Sequence, residues 1–455
     1  MASRASAKPI VPVLRTEEAG FERAFDRLAR RRDLRRGELE SEVRALLDRV
    51  REGGDEALRD LTERFEGVRP EPLEVSAAEW DEGVDAVDPA DRAALGKAAM
   101  RVREFHRKRI PGSWEMREEG GAYMGQRVRC LDRVGIYVPG GKAFYPSSVI
   151  MNAVPASVVE VPEIVMVSPP GPDGRLRPEV LMAARVAGVH RIFKCGGAQA
   201  IAALAFGTET IPRVDKIVGP GNAYVATAKR LVFGEVAIDA EAGPTEVVVV
   251  ADRSATAAWV AADLISQAEH DEEASAVLIT HVKALATRVQ DQIRKQLAKL
   301  DRAEIARRAL ADRGAVVITR SLDESVELVN RYAPEHLVLA TEKPDQVMKR
   351  VAHAGAIFLG HYTPVAVGDY LAGPNHVLPT GGTARFFSPL SAEDFLKRST
   401  FVRFEPGKLR ELGADVIRLA QMEGLSAHGR SVELRLEKIR RARREREAAR
   451  DAEVL

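Results

Sequence analysis

Four short apolar runs near the middle of the chain, separated by helical patterns and each emptying into a glycine- or proline-rich turn, constrain the fold most. Val134-Gly135-Ile136-Tyr137-Val138 ends in Pro139-Gly140-Gly141, and Ile164 to Val167 ends in Ser168-Pro169-Pro170. Arg191 to Lys194 ends in Cys195-Gly196-Gly197, and Lys216 to Val218 ends in Gly219-Pro220-Gly221-Asn222. Helical spacing fills the intervals, over Pro178 to Ala187, Ala198 to Phe206 and Ala223 to Leu231. Nearly continuous apolar strands alternating with helices are the pattern of a parallel sheet covered on both faces. A second series repeats the rhythm at Glu246 to Val250, Ala276 to Thr280, Ala315 to Thr319 and Leu337 to Leu339, with helical segments such as Val282 to Leu300 between. The expected class is α/β, with two Rossmann-like parallel-sheet domains between helical N-terminal and C-terminal segments. No GxGxxG follows the first strand, so a dinucleotide here would bind in an atypical way.

A chain of 455 residues exceeds one ordinary core. The expected division is a helical segment over 1–30, a first α/β domain from 31–134 plus 246–390, an inserted α/β domain over 135–245, and a helical segment over 391–455. Leu39, Val43, Leu46, Leu47 and Val50 form one apolar stripe that Gly53-Gly54 stops, and Leu58, Leu61 and Phe65 resume it. With 68 basic and 67 acidic residues the charge is near balance, which argues against nucleic acid or a membrane surface as partner. The Glu/Arg run over 437–450 interleaves acids with bases and reads as a solvated helix. No apolar run approaches the roughly 20 residues of a membrane span, and no signal peptide is expected. Two isolated cysteines, Cys130 and Cys195, make neither a disulfide framework nor a CxxC knuckle; a reducing, cytoplasmic location is the simplest fit.

Glycine turns at the carboxyl ends of parallel strands let backbone approach a phosphorylated ligand, though each is also an ordinary tight turn between strand and helix. Trp259, Val260, Leu264, Ile265 and Ala268 recur at helical spacing, placing Gln267 and His270 three apart on one face. An amide oxygen and an imidazole so spaced can share a divalent cation, or simply end a surface helix. His336, His376 and His428 also lie among polar, loop-like residues: Glu335 precedes His336, Gly373-Pro374-Asn375 precedes His376, and Glu423 lies five residues before His428. No pair has zinc-finger or HExxH spacing.

Arg133-Val-Gly-Ile-Tyr137-Val-Pro-Gly-Gly141, Gly196-Gly-Ala-Gln199-Ala, Gly219-Pro-Gly-Asn222-Ala-Tyr and Ala242-Gly-Pro-Thr245-Glu follow one another along the chain. Ser266-Gln267-Ala-Glu-His270, Ala333-Pro-Glu335-His336-Leu, Gly368-Asp369-Tyr and Gly373-Pro-Asn-His376-Val-Leu-Pro-Thr complete the set, which runs from about Arg133 to His428. Together these motifs resemble the histidinol dehydrogenase family. The resemblance implies a cytoplasmic homodimer that oxidises L-histidinol through L-histidinal to L-histidine, the last steps of histidine biosynthesis, with two NAD⁺ and one zinc per subunit. It implies zinc ligands Gln267, His270, Asp369 and His428, and NAD contacts at Tyr137, Gln199 and Asn222. Thr245, His376 and Glu423 would lie against the substrate along with the ligands and His336. The C-terminal segment would carry Glu423 and His428 to the neighbouring subunit's site.

Alcohol oxidation needs a base for the hydroxyl proton, which suits a neutral imidazole of pKa about 6.5 at His336. Oxidising the aldehyde needs a base for water, which falls to Glu335 with His336 assisting. Cys195, near the cofactor loops, offers a thiohemiacetal route as the alternative. The sequence departs from the family pattern at Thr245, where serine is usual, and in a longer charged tail. Two other readings stand beside this one: a related zinc and NAD dehydrogenase acting on a small polyol or diol, and a non-catalytic nucleotide-binding protein.

Overall fold

The computed structural model describes residues 9–30, 36–140, 144–241 and 243–454. Gly141 of the first glycine turn, Ala242 of the motif before Thr245, and residues 1–8 of the expected N-terminal segment lie outside them. Strand β1 (Val13–Arg15) comes first, and helices fill most of the chain up to β2 (Trp114–Glu118) and β3 (Ala122–Cys130). Then follow β4 (Arg133–Tyr137), β5 (Glu163–Ser168), β6 (Arg191–Lys194), β7 (Lys216–Val218) and β8 (Ala237–Ile238). The second series is β9 (Glu246–Ala251), β10 (Ser275–Thr280), β11 (Ala315–Ile318), β12 (His336–Ala340) and β13 (Ala356–Leu359), and β14 (Leu396–Phe404) comes last.

Two parallel sheets result, as the α/β expectation required. One has the order β6-β5-β4-β7-β8. The other is β1-β11-β10-β9-β12-β13. Apart from the added edge strand β1 they are wound identically, each reversing direction beside its first central strand. Strands β9 to β12 are buried throughout because helices cover both faces. Alternate residues enter opposite cores: Val247 and Val249 pack with Leu264 and Leu285, whereas Val248 and Val250 pack with Phe25 and Tyr332. Each such side chain contributes about 1.5–3 kcal/mol of burial.

The N-terminal apolar stripe also finds its partner. Val43, Leu47, Val50, Leu58 and Leu61 share a core with Val165, Val167 and Phe193 of the five-stranded sheet. The helix over Arg36–Glu66 is interrupted at Gly54, whose φ of 53° bends the chain where the glycine pair was expected to stop it. Beyond it, Lys194 donates to the Leu73 carbonyl at 2.8 Å and Val75 to that of Ile192 at 2.9 Å, covering the β6 edge. Residues 43–75 therefore pack with the five-stranded sheet, where the sequence reading had grouped 31–134 with 246–390.

The chain divides into two compact units, Met1–Ile110 with Leu131–Phe395, and Pro111–Cys130 with Leu396–Leu455. The first holds both parallel sheets. The second holds the antiparallel sheet β14-β3-β2 and the helices Pro406–Met422 and Ser426–Val454. Gly413 sits against Leu436 where those two helices meet. The C-terminal segment, expected to be helical, thus includes a nine-residue strand. Its Leu-Lys-Arg-Ser-Thr-Phe-Val-Arg-Phe sequence has no buried face to impose a period of two, so the pattern gave no strand signal. Among the described residues no helix is long and apolar enough to cross a membrane.

Candidate active site

The polar cluster of the six-stranded sheet forms where β9 and β12 begin. These neighbours pair in parallel with His336 opposite Val247, so Thr245-Glu246 and Glu335-His336 arrive side by side. The helix over Leu322–Tyr332 ends on Ala333 in a left-handed conformation (φ 51°), and Pro334 then turns the chain into β12. Gly355 lets the next strand approach: a methyl group there would stand 2.6 Å from the Glu335 carbonyl oxygen. Glu335 is buried, and its Oε2 accepts from the Thr245 hydroxyl at 2.8 Å and the Glu246 N–H at 2.7 Å. His336, also buried, places Nδ1 2.9 Å from the Glu246 carbonyl. A carbonyl only accepts, so Nδ1 carries the hydrogen. Nε2 has no hydrogen-bond partner and lies 3.8 Å from Asp369 Oδ1.

Charge decides how this imidazole behaves. Burial alone would hold His336 uncharged, but Glu335 and Asp369 outweigh it and push its pKa up to about 10. Burial would likewise raise Asp369, yet the His336 imidazole beside it holds the carboxyl below its ordinary value, with His376 and His270 adding to the effect. His376 is pushed down, chiefly by burial, and its Nδ1 donates to the Asp369 carbonyl at 2.9 Å. The Asp369 carboxylate thus responds to three imidazoles, His336 most strongly. The ordinary pKa expected for His336 is not what its surroundings give.

The helix that carries Gln267 runs over Ala257–Ala268, so His270 lies just beyond its end rather than on it. The His270 N–H still bonds the Gln267 carbonyl at 3.3 Å, which keeps the two residues one turn apart. Gln267 is buried and its Nε2 donates to Thr245 Oγ1, whereas His270 is exposed. Thr245 therefore ties Gln267 to Glu335. Among the described residues no group of three His, Cys, Asp or Glu side chains is arranged to hold a metal ion.

In the five-stranded sheet the expected residues sit at carboxyl ends. The Tyr137 hydroxyl accepts from the Gly197 N–H at 3.1 Å, and burial pushes its pKa up to about 12. Gln199 is buried against Gly197, and its Nε2 has no partner. Asn222 is exposed and caps the Ala223–Val232 helix, its Oδ1 accepting from the Tyr224 and Val225 N–H groups at 3.1 Å. Cys195 is wholly buried, and that burial drives its thiol far up, which removes the thiolate a thiohemiacetal route needs.

Thr245, Gln267, Glu335, His336, Asp369 and His376 are therefore joined in one network, with His270 at its margin, and Tyr137 and Gln199 meet around Gly197. Glu423 and His428 belong to the second unit: Glu423 caps the Pro406–Met422 helix, His428 lies on the Ser426–Val454 helix, and both are exposed. Sequence reasoning passed over Glu246. Its carboxylate accepts from Gly381 N at 2.7 Å and from Glu335 N at 3.4 Å, while its own backbone serves Glu335 and His336. A glutamate opening an otherwise apolar buried strand was the available signal.

The histidinol dehydrogenase family model matches residues 29–436. The chain belongs to the histidinol dehydrogenase family. It is 53% identical over 422 residues to the histidinol dehydrogenase of Geobacter sulfurreducens, covering 92% of this chain and 98% of that one. Over 400 residues it is 54% identical to that of Syntrophotalea carbinolica, covering 88% and 93%. The crystal structure of histidinol dehydrogenase from Elizabethkingia anophelis superposes with a TM-score of 0.90 at 33% identity, over 95% of this chain and all of that one. Membership of the family makes the chain an oxidoreductase, and both the α/β class and the resemblance read from the motifs stand.

Proposed function

We propose that the chain oxidises L-histidinol through L-histidinal to L-histidine, with two NAD⁺ and one zinc per subunit, in the last steps of histidine biosynthesis. The working form is a cytoplasmic homodimer. The observation that carries this reading is the buried Glu335–His336 pair, whose histidine has Nδ1 fixed on a backbone carbonyl and Nε2 left over. A base for an alcohol must be held in one tautomer with its accepting nitrogen unspent.

His336 Nε2 takes the hydroxyl proton of histidinol while hydride passes from the carbinol carbon to the nicotinamide, giving histidinal. Glu335 takes a proton from the water that adds to the aldehyde carbon, and the hydrate delivers the second hydride to a second NAD⁺. Thr245 and the Glu246 N–H hold Glu335 Oε2 in place throughout. The unpartnered Gln199 Nε2 and the hydroxyl of Tyr137 suit polar groups of the dinucleotide.

The donors present fit zinc in type: the Gln267 amide, the His270 imidazole and the Asp369 carboxylate, with His428 brought from the second subunit. Asp369 facing several imidazoles, and a Gln267 amide whose nitrogen is already bonded to Thr245, are the arrangement such a site would use. When bound, zinc would supply a positive centre for orienting the substrate, and Asp369, its charge engaged there, would no longer raise His336 so far, which leaves that imidazole its role as base. His376 and the second subunit's copy of Glu423 then border the substrate.

NADH formed per histidinol tests the reading, measured before and after chelation and again after zinc is added back. Two NADH per histidinol, lost on chelation and restored by zinc, is expected. One NADH, or turnover of a diol but not of histidinol, overturns it.

A further inference from the structure

Lys229 is 1% exposed, although a lysine almost never goes so deep without a purpose for its charge. It lies on the Ala223–Val232 helix and pairs with Asp239, a buried carboxylate just after β8. The two converge on one peptide. Lys229 Nζ donates to the Gly219 carbonyl at 2.9 Å, and Asp239 Oδ2 accepts from the Gly219 N–H at 2.8 Å. Gly219 opens the third glycine turn with φ 119°, and a methyl group there would collide with the Tyr137 carbonyl. Tyr137 in turn accepts from Gly197 of the second turn. A buried ion pair therefore grips both polar groups of a residue that packs on Tyr137, whose hydroxyl meets the second turn.

We propose that Lys229 and Asp239 are positioning residues for the dinucleotide. They hold the Gly219-Pro-Gly-Asn222 turn in the conformation that receives NAD, and they touch neither cofactor nor substrate. This rests on the reading that NAD lies against that turn. A buried ion pair is weak evidence for stability, since replacing both partners by uncharged groups of like volume is often nearly neutral. A structural role and a positioning role therefore predict different results.

The decisive variant is the double substitution Lys229→Met with Asp239→Asn. It removes both charges, keeps an amide oxygen for the Gly219 N–H, and leaves the Gly219 carbonyl without its donor. In the zinc-loaded dimer the KM for NAD should rise about tenfold, and equilibrium NADH binding followed by fluorescence should weaken equally, by analogy with the loss of one charged hydrogen bond. The KM for histidinol should stay within about twofold, because the substrate site lies on the other sheet. The single Lys229→Met variant, which strands Asp239, should show a larger NAD defect together with a lower melting temperature. An unchanged NAD KM in the folded double variant overturns the proposal, as does an equal rise in both KM values. Asn222→Ala separates this from the reading beneath it. If Asn222→Ala weakens NADH binding and the double variant does not, the positioning role fails alone; if Asn222→Ala has no effect, the NAD assignment of the turn fails.

Discussion

In the five-stranded sheet the winding reverses between β4 and β7, and in the six-stranded sheet between β9 and β12. Both place their candidate residues at this central pair, but at opposite ends of the strands. Tyr137 and Gly219 stand at carboxyl ends, where backbone N–H groups and the N-termini of the helices Gly197–Phe206 and Ala223–Val232 gather. Thr245, Glu246, Glu335 and His336 stand at amino ends, where the helices Ala257–Ala268 and Leu322–Tyr332 terminate. Helix N-termini favour anions and C-termini favour cations. One edge therefore favours anionic groups and the other cationic ones. The two edges also differ in material. The first is built from backbone and glycine, the second from a dense network of side chains.

The comparison breaks most easily at the second edge. His336→Asn should lower turnover about 10³-fold, the range lost with a positioned general base, while equilibrium NADH binding stays as it was. Glu335→Gln should instead let the first oxidation proceed and stall the second, so that NADH per histidinol falls from two toward one. Loss of dinucleotide affinity in either variant would mean that the two edges are not separate in function.

The same side chain in two settings sharpens the electrostatic half. His336 is raised by two carboxylates, whereas His106, buried with an unpartnered Nε2 on the Pro89–Arg107 helix, is pushed down to about 4 by burial despite Asp394 nearby. Above pH 6.5 His106 is neutral folded or unfolded and costs nothing. As pH falls from about 6.5 to about 4 the unfolded chain takes a proton that the folded one refuses, and stability drops by up to about 3 kcal/mol. His106→Leu should remove that part of the acid-side slope in denaturant midpoints measured from pH 7 to pH 4.5. An unaltered slope would place the acid sensitivity elsewhere.

A smaller effect is expected at the first edge. Gly219→Ala puts a methyl group into the Tyr137 carbonyl at a left-handed φ. Initial-rate kinetics should show the NAD KM rising about tenfold, which is about 1.4 kcal/mol, with histidinol KM little moved. Equal movement of both would show that the turn supports the whole unit and not the dinucleotide edge alone.

Much of this was legible in the chain. Among the described residues, eight of the eleven parallel strands were legible because burial on both faces favours apolar residues at nearly every position, as in Val247 to Val250, whereas the edge strands β1, β8 and β13 were not. β14 did not, because its side chains are largely exposed and no face selects them. Gln267 with His270, and Glu335 with His336, were visible as short-range pairs. The link from Gln267 through Thr245 to Glu335 was not, since it depends on β9 and β12 being neighbours, a long-range fact that no local spacing encodes. Glu246 was hidden for the same reason: its partners Gly381 and Glu335 lie 135 and 89 residues away. The rise in the pKa of His336 comes first from its neighbour Glu335 and then from Asp369, which arrives on the helix Val365–Tyr370. Asn375, just beyond that helix, donates to the Met151 carbonyl of the helix Pro146–Val158, beside the other sheet.

The smallest effect, expected for Thr245→Ser and read against Thr245→Val, tests whether the second edge depends on the hydroxyl or the shape of Thr245. Its Oγ1 donates to Glu335 and accepts from Gln267. Thr245→Ser keeps both hydrogen bonds and removes one methyl group. The packing loss is about 1 kcal/mol or less, and kcat/KM should stay within about threefold. Thr245→Val keeps the shape and deletes the hydroxyl, leaving Glu335 Oε2 with only the Glu246 N–H. Leaving such a buried carboxylate short of a donor costs about 1–3 kcal/mol, so kcat should fall about tenfold or more. If valine were tolerated as well as serine, Glu335 would be held by the backbone alone. The side-chain edge would then depend on main-chain hydrogen bonds as much as the glycine edge does.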